Sequence, residues 1–372
     1  MAPGPGRRQR APRGAAPLSG PAGSPWAVAG EGGRARPLRV LAGDIGGTHA
    51  RLVLAEVRGE RVEPLHRAEA PSREHPDLAT LLRRVLAEAP AAAREGLAAA
   101  ALGLPGPVEG SPPRQRVRTT NLPWEVEAEA LARALGLERV LLLNDLAAVA
   151  EALPALAEGD LAPLQAGRPE PQAPALVLGA GTGLGVAWRI PCGAAHRVLA
   201  TEGGHAGFAP AGEEQRRLHA FLEAELGRVS WERVVSGPGL AALYRFLLHE
   251  HPGQGDPALL QAEDPPAAIA ASSQPLAQRA VALFVALYGA VAGDLALAGL
   301  PRAGVYLAGG IAPKLLDRLR QGPFLEAFRG KGRMAPLLAQ LPVQVILHPW
   351  PGLLGAALAA ARALAEDPGP AA

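Results

Sequence analysis

The sequence predicts an α/β protein built as two related lobes around a central cleft. Its 372 residues exceed what one small domain needs. Apolar, β-prone runs alternate with stretches of helical apolar spacing along most of the chain. One design also occurs twice: a strand enters a glycine-threonine turn and a second strand leaves it.

Composition narrows the function classes. Hydrophobic residues make up 48% and charged residues 19%, which supports full cores under a polar surface. Lys plus Arg is 37 against 35 for Asp plus Glu, so the net charge is only +2. That balance argues against a nucleic-acid-binding surface, and aromatics at 4% argue against a base-stacking platform. A single cysteine, Cys192, excludes an intrachain disulfide and a cysteine-clustered zinc site, and suits a reducing, cytoplasmic compartment. No run of about 18 apolar residues is free of breakers, so no membrane span is expected.

The elements follow in order. Residues 1–37 carry Arg7, Arg8, Arg10, Arg13, Arg34 and Arg36 against the single acid Glu31, with many Pro and Gly. Such a segment buries no core and reads as a disordered tail, or as sequence ahead of the true start. The first lobe is expected over 38–155, completed by a C-terminal helix within 349–372, and the second over 156–348. Residues 38–44 and 51–57 read as a β-hairpin. Ala98–Leu104 reads as a strand ended by Pro105, Trp124–Leu135 as a helix closed by Gly136, and Val140–Leu143 as a buried strand. Leu146–Leu153 is expected to be a helix stopped by Pro154. Segment 160–174, with Pro163, Pro169, Pro171 and Pro174, reads as a linker or surface loop. A second hairpin spans 175–190. Gly239–His249 and Pro275–Leu297 show helical spacing. Val305–Ala308 reads as a strand before a helix from about Pro313. Val343–Leu347 reads as a strand and Leu353–Leu364 as a helix.

The chemistry sits in the turns. Gly43-Asp44-Ile45-Gly46-Gly47-Thr48 places a carboxylate beside three glycines. Glycine lets backbone N–H groups approach phosphate oxygens, and Thr48 adds a hydroxyl. Asp44 is then placed to hold Mg²⁺ through water, and Arg51 to add a phosphate contact. The same turn could equally be a hairpin whose Asp caps an amide. Gly179-Ala180-Gly181-Thr182-Gly183-Leu184-Gly185 reads as a second phosphate turn or a glycine-kinked one. Each turn is followed by a strand, which counts against the dinucleotide fingerprint and the Walker loop. Asn144-Asp145 follows a strand and precedes a helix, where backbone donors favour an ionised carboxylate, and the local sequence alone reads Asp145 first as a simple helix N-cap. Glu202 and His205 offer sugar hydroxyls mixed donors and acceptors, or simply pair with each other. Ser236-Gly237 reads as a helix cap that can also present backbone to a purine, and Gly309-Gly310 has the same double reading.

GDIGGTHARL and GAGTGLGVA together resemble the phosphate loops of the actin, hexokinase and sugar-kinase superfamily. TNLPWEV at 120–126, LLLNDLAAV at 141–149, TEGGHAGFAP at 201–210, ERVVSGPGL at 232–240, LAGGI at 307–311 and WPGLLG at 350–355 are similar to the bacterial glucokinase family, in the family's order over roughly 39–360. The resemblance implies a two-lobed ribonuclease-H-like, actin-type ATPase fold and ATP-dependent phosphorylation of glucose at its 6-hydroxyl. Asp145 then matches the catalytic base. Thr120, Asn121, Asn144, Asp145, Glu202, His205 and Glu232 match the glucose contacts. Gly43, Asp44, Gly46, Gly47, Thr48, Arg51, Gly181, Thr182, Gly183, Ser236, Gly237, Gly309 and Gly310 match the Mg-ATP cradle. A homodimer follows from the same resemblance, with no nucleic-acid or membrane partner.

The chain departs from the family pattern in two places. His49 stands where the family carries Asn, and Leu122-Pro123 replaces a more polar pair. The related ROK family pairs a similar His with a cysteine-rich zinc motif, which the lone Cys192 cannot supply. Kinases for another hexose, a polyphosphate-using enzyme and a non-catalytic sugar sensor are the rival readings. The sensor lacks its expected helix-turn-helix, because the N-terminal segment is rich in Pro and Gly.

Overall fold

The computed structural model describes residues 37–193 and 195–365, so the expected N-terminal tail and the last residues of 349–372 lie outside it. The chain divides into two units, one of Met1–Asp145 with Ala356–Ala372 and one of Leu146–Gly355. The division falls at Asp145 rather than at the expected 155.

The first unit carries β1 (Leu38–Ile45), β2 (His49–Arg58), β3 (Arg61–Pro71), β4 (Leu97–Leu104), β5 (Val108–Glu109), β6 (Arg116–Arg118), β7 (Glu125–Glu127) and β8 (Arg139–Asn144). Its main sheet has the order β3-β2-β1-β4-β8. The β1–β2 and β2–β3 pairs are antiparallel, whereas β1–β4 and β4–β8 are parallel. β4 contains Ala98 to Ala101, residues with strong helical preference. A central position between β1 and β8, buried from Ala99 onward, overrides that preference. Leu41, Leu52, Leu81, Leu102, Trp124, Leu131 and Leu142 share one core. A small sheet, β5-β6-β7, flanks the main one in sequence between β4 and β8.

The second unit carries β9 (Leu161–Gln165), β10 (Ala175–Ala180), β11 (Leu184–Cys192), β12 (Ala195–Thr201), β13 (Gly304–Ala308) and β14 (Val343–Ile346). Their order is β12-β11-β10-β13-β14-β9. Apart from β9, this repeats the first sheet. An antiparallel three-stranded meander leads into two parallel neighbours. The weak echo between the two glycine-threonine hairpins is therefore a repeat of strand order. The core gathers Tyr244, Phe246, Phe284, Tyr288, Phe324 and Phe328 around these strands.

Several expectations need correction. The 160–174 segment is not all loop, because Leu161–Gln165 is a strand. Pro163 is tolerated there because β9 is an edge strand, and the β9–β14 register shifts where Gln344 meets it. The 124–135 helix starts only at Ala128. Glu125–Glu127 alternates exposed and buried as a strand, and the helix ends at Gly136 with φ 67°. The helix expected near Pro313 begins at Ile311 and breaks into Ile311–Lys314 and Leu316–Arg320. β3 was not anticipated.

One helix, Pro275–Gly299, runs on through the breakers Gly289, Gly293 and Asp294 that interrupt its apolar run. It is long and apolar enough to cross a membrane, with mean hydropathy 2.0 over 18 residues. Its small and polar residues do not break it, and 67% of that stretch is buried inside the protein, where it forms a core helix.

Candidate active site

In the first unit the site residues collect at the carboxyl ends of parallel strands, where open α/β sheets place ligand groups. Asp44 near the end of β1 lies beside Gly103 of β4, and Leu104 of β4 pairs with Asn144 at the end of β8. Asp145 opens the helix Asp145–Ala152 directly after that strand, with its side chain exposed. Asp44 is half-buried. Burial raises its carboxyl above the ordinary value of 3.8; Arg51 opposes the rise, and the charge of Asp145 adds to it. Arg51, across the hairpin from Asp44, is itself 3.4 Å from Glu69 of β3. Its guanidinium is therefore shared with an acid that the sequence reading did not assign.

The turn between β1 and β2 closes through Gly46 N–H to the His49 carbonyl at 2.9 Å. Ser72, fully buried, donates its hydroxyl to the Gly46 carbonyl at 2.8 Å and its N–H to the Thr48 carbonyl at 2.9 Å. Arg73 donates to the Gly47 carbonyl at 3.2 Å. The turn's carbonyls are thus held from behind, while Thr48 and His49 are exposed. A Cβ on Gly47 would stand 2.8 Å from Cβ of Asn121, so the Gly46-Gly47-Thr48 turn and the Thr120-Asn121 loop are neighbours. Gly43 has another reason for being glycine. A Cβ there would meet Leu102 at 2.6 Å, so packing inside the sheet excludes a side chain. Trp124 is part of the core.

Gln115 is a residue that sequence reasoning missed. Its buried carboxamide donates to the Leu142 carbonyl at 3.0 Å and accepts from the Leu142 N–H at 3.1 Å. β8 is an edge strand, and this side chain supplies the rung that a further strand would supply. Thr119, also buried, donates its hydroxyl to the Leu122 carbonyl at 2.7 Å and shapes the loop of Thr120 and Asn121.

In the second unit the β10–β11 turn is Gly181-Thr182-Gly183, with Gly181 N–H donating to the Gly183 carbonyl at 2.9 Å. Thr182 is exposed. Glu202 precedes a short 3₁₀ turn, Gly203–His205, and its Oε2 lies 3.7 Å from Nε2 of His205. Oε2 of Glu232 accepts from Leu184 N–H at 3.0 Å, and its Oε1 lies 3.9 Å from His205 Nδ1. Ser236 caps the helix Gly237–Glu250, accepting from Gly239 N–H at 3.0 Å. A cavity of about 320 Å³ is lined by Gly181, Thr182, Gly237, Gly310, Asp264 and Lys314, with Ile311 and Leu315 among its apolar walls. Ser236 and Gly309 do not line it. Gly309 instead takes φ 81°, with the backbone of Ala180 so close that a Cβ would be 3.0 Å from its carbonyl carbon. A second cavity of about 500 Å³ shares Thr182 and adds Glu232, Ser236, Arg233 and Arg245. Among the described residues no three His, Cys, Asp or Glu side chains group as a metal site.

Known structures share this fold. A crystal structure of glucokinase from an Antarctic psychrotroph is 29% identical with a TM-score of 0.76, covering 87% of this chain and 99% of that one. A ROK family glucokinase from Streptomyces griseus, in complex with glucose and AMPPNP, shares the fold at 22% identity and a TM-score of 0.57, over 87% and 99% of the two chains. The class is thus the mixed α/β fold of glucokinase and ROK sugar-kinase structures. A model of the glucokinase family matches residues 41–363. The glucokinase of Nostoc punctiforme is 39% identical over 344 residues, 87% of this chain and 99% of that protein. This chain belongs to the glucokinase family.

Proposed function

We propose that the chain transfers the γ-phosphoryl group of ATP to the 6-hydroxyl of D-glucose, and that each of its units follows the ribonuclease-H-like, actin-type pattern. The repeated strand order supports the second part of this reading. The observation that carries the first is the placement of Asp145. It is an exposed carboxylate at the end of a parallel strand, close enough to Asp44 of the phosphate turn for their charges to interact.

In the proposed reaction Asp145 accepts the proton of the 6-hydroxyl as that oxygen forms its bond to the γ-phosphorus and ADP departs. With a loose transition state the proton leaves late, so an ordinary carboxylate suffices. Asn144, Thr120 and Asn121 are assigned to sugar hydroxyls, as are Glu202, His205 and Glu232. The turns at Gly46-Gly47-Thr48 and Gly181-Thr182-Gly183 present N–H and hydroxyl donors to the phosphates.

The cavity of the second unit takes the nucleoside. Gly181 and Gly310 both line it, and a Cβ on either would meet nothing of the chain within 4 Å. Neither has a left-handed φ. The fold alone therefore asks for glycine at neither position, whereas a ligand drawn against the backbone does.

The residues also fit Mg²⁺, which keeps most of its waters and needs only one or two protein carboxylates beside the nucleotide phosphates. Asp44, whose ionised form is disfavoured by burial and by Asp145, is the group to hold it, and the ion when bound offsets phosphate charge. The reducing compartment that suits the single cysteine is the cytoplasm.

The test is product formation by the purified chain across a panel of glucose, mannose, fructose and N-acetylhexosamines, with ATP or polyphosphate as donor. The reading expects glucose with ATP to give the highest kcat/KM. A clear preference for another sugar or for polyphosphate would overturn it.

A further inference from the structure

We propose that Glu232 is a positioning residue for the second phosphate hairpin as well as a hexose contact, one carboxylate serving both. The hexose half of this statement rests on the function proposed above, whereas the hairpin half rests on geometry alone.

Oε2 of Glu232 accepts the N–H of Leu184, the residue at which the hairpin turns back into β11, at 3.0 Å. A Cβ on Gly183 would fall 2.5 Å from that oxygen, so the carboxylate reaches the backbone only because residue 183 has no side chain. The segment that carries Glu232 grips the other arm of the turn too. Gly237 N–H donates to the Gly181 carbonyl at 2.7 Å. The segment itself is fixed by the Ser236 hydroxyl, which donates to the Glu232 carbonyl at 2.8 Å and accepts from Gly239 N–H at 3.0 Å. Both ends of Gly181-Thr182-Gly183 are therefore tied to residues 232–237.

The tie matters because two glycines leave the turn with more backbone freedom than any other residues would. A nucleotide that must order the turn on binding loses affinity by the cost of that ordering. A carboxylate on a backbone N–H is a charge-assisted bond and about twice as strong as a neutral one. The remaining oxygen, Oε1, lies 3.9 Å from Nδ1 of His205, whose Nε2 lies 3.7 Å from Glu202. One side chain thus borders the sugar-facing pair and the phosphate turn at once.

The experiment measures binding of a non-hydrolysable ATP analogue to the full chain without sugar, together with KM for glucose, in four variants. Glu232→Met and Glu232→Ala lack any acceptor, and either one suffices if the other does not fold. Both should weaken the analogue about tenfold or more and raise KM for glucose. Glu232→Gln keeps an oxygen for Leu184 N–H, so it should restore analogue affinity while leaving glucose binding impaired. His205→Ala should raise KM for glucose and leave analogue affinity within about twofold, because it touches no hairpin bond. Analogue affinity unchanged in the Met and Ala variants, or lost equally in the Gln variant, would overturn the proposal. If the wild type phosphorylates no hexose while Glu232→Met still loses the analogue, the functional reading falls and the hairpin role stands.

Discussion

Replacing Gln115 should damage both stability and turnover, although it lies outside every motif of the sequence. Its side chain makes two hydrogen bonds to Leu142, at 3.0 and 3.1 Å, on the open edge of β8. Gln115→Ala leaves that buried N–H and carbonyl without partners. Each orphaned group costs about 1–3 kcal/mol, and water reaching a sheet edge favours the lower end, so the loss should total about 2–4 kcal/mol. Gln115→Leu restores apolar burial worth roughly 1–2 kcal/mol and should fall between the two. Asp145 follows Leu142 by three positions, so the loosened strand end also carries the proposed base. A displacement near 1 Å at a reacting group can cost about a hundredfold in rate. Thermal denaturation of the three proteins reads the first effect, and kcat with glucose saturating reads the second. The variants should melt several degrees lower and turn over more slowly, with KM for ATP near the wild-type value. If Gln115→Ala melts and turns over like the wild type, the side chain does not brace β8.

Two further predictions concern the cradle. Asp44 has a folded pKa above its ordinary 3.8, so the folded state holds that proton more tightly than the unfolded chain does. Its contribution to stability is full below the ordinary value and is lost as pH climbs through the folded one. The charged form is thus unfavourable at neutral pH. Asp44→Asn should raise the melting temperature of the ligand-free protein at pH 7, with the gain vanishing near about pH 4, and should abolish Mg-ATP turnover; a lower melting temperature at pH 7 contradicts this. Ser236→Ala removes the cap on Gly239 N–H and should cost about 1 kcal/mol while raising KM for ATP, whereas an unchanged KM would separate the cap from the nucleotide site.

The parts of the fold that were readable in the sequence are those specified by local pattern. The two hairpins are apolar runs broken by glycine, and both formed where that pattern placed them. The helix after Asn144 and the cap at Ser236 follow from short-range signals of the same kind. What escaped was not specified by the pattern of its own residues. β3 mixes charged residues with Pro64 and Pro71, and it is a strand because the two-residue turn Gly59-Glu60, with Gly59 at φ 60°, folds it back onto β2. Pro163 disguised β9 because an edge position, invisible in the residues themselves, is what admits proline.

The supporting side chains of the site were equally hidden. Gln115 bonds to backbone 27 residues away, and Ser72 to a turn 26 residues earlier. Neither residue type carries a signal at its own position. Glu232 was found only through resemblance, and its bond to Leu184 lies 48 residues back along the chain.

The most direct measurement is glucose 6-phosphate formation by Asp145→Asn beside the wild type, with glucose binding measured on the same samples. The account predicts turnover lowered by about 10²–10⁴-fold while the sugar still binds. Turnover within a few-fold of the wild type would contradict it, because no proton would then need to pass to that carboxylate.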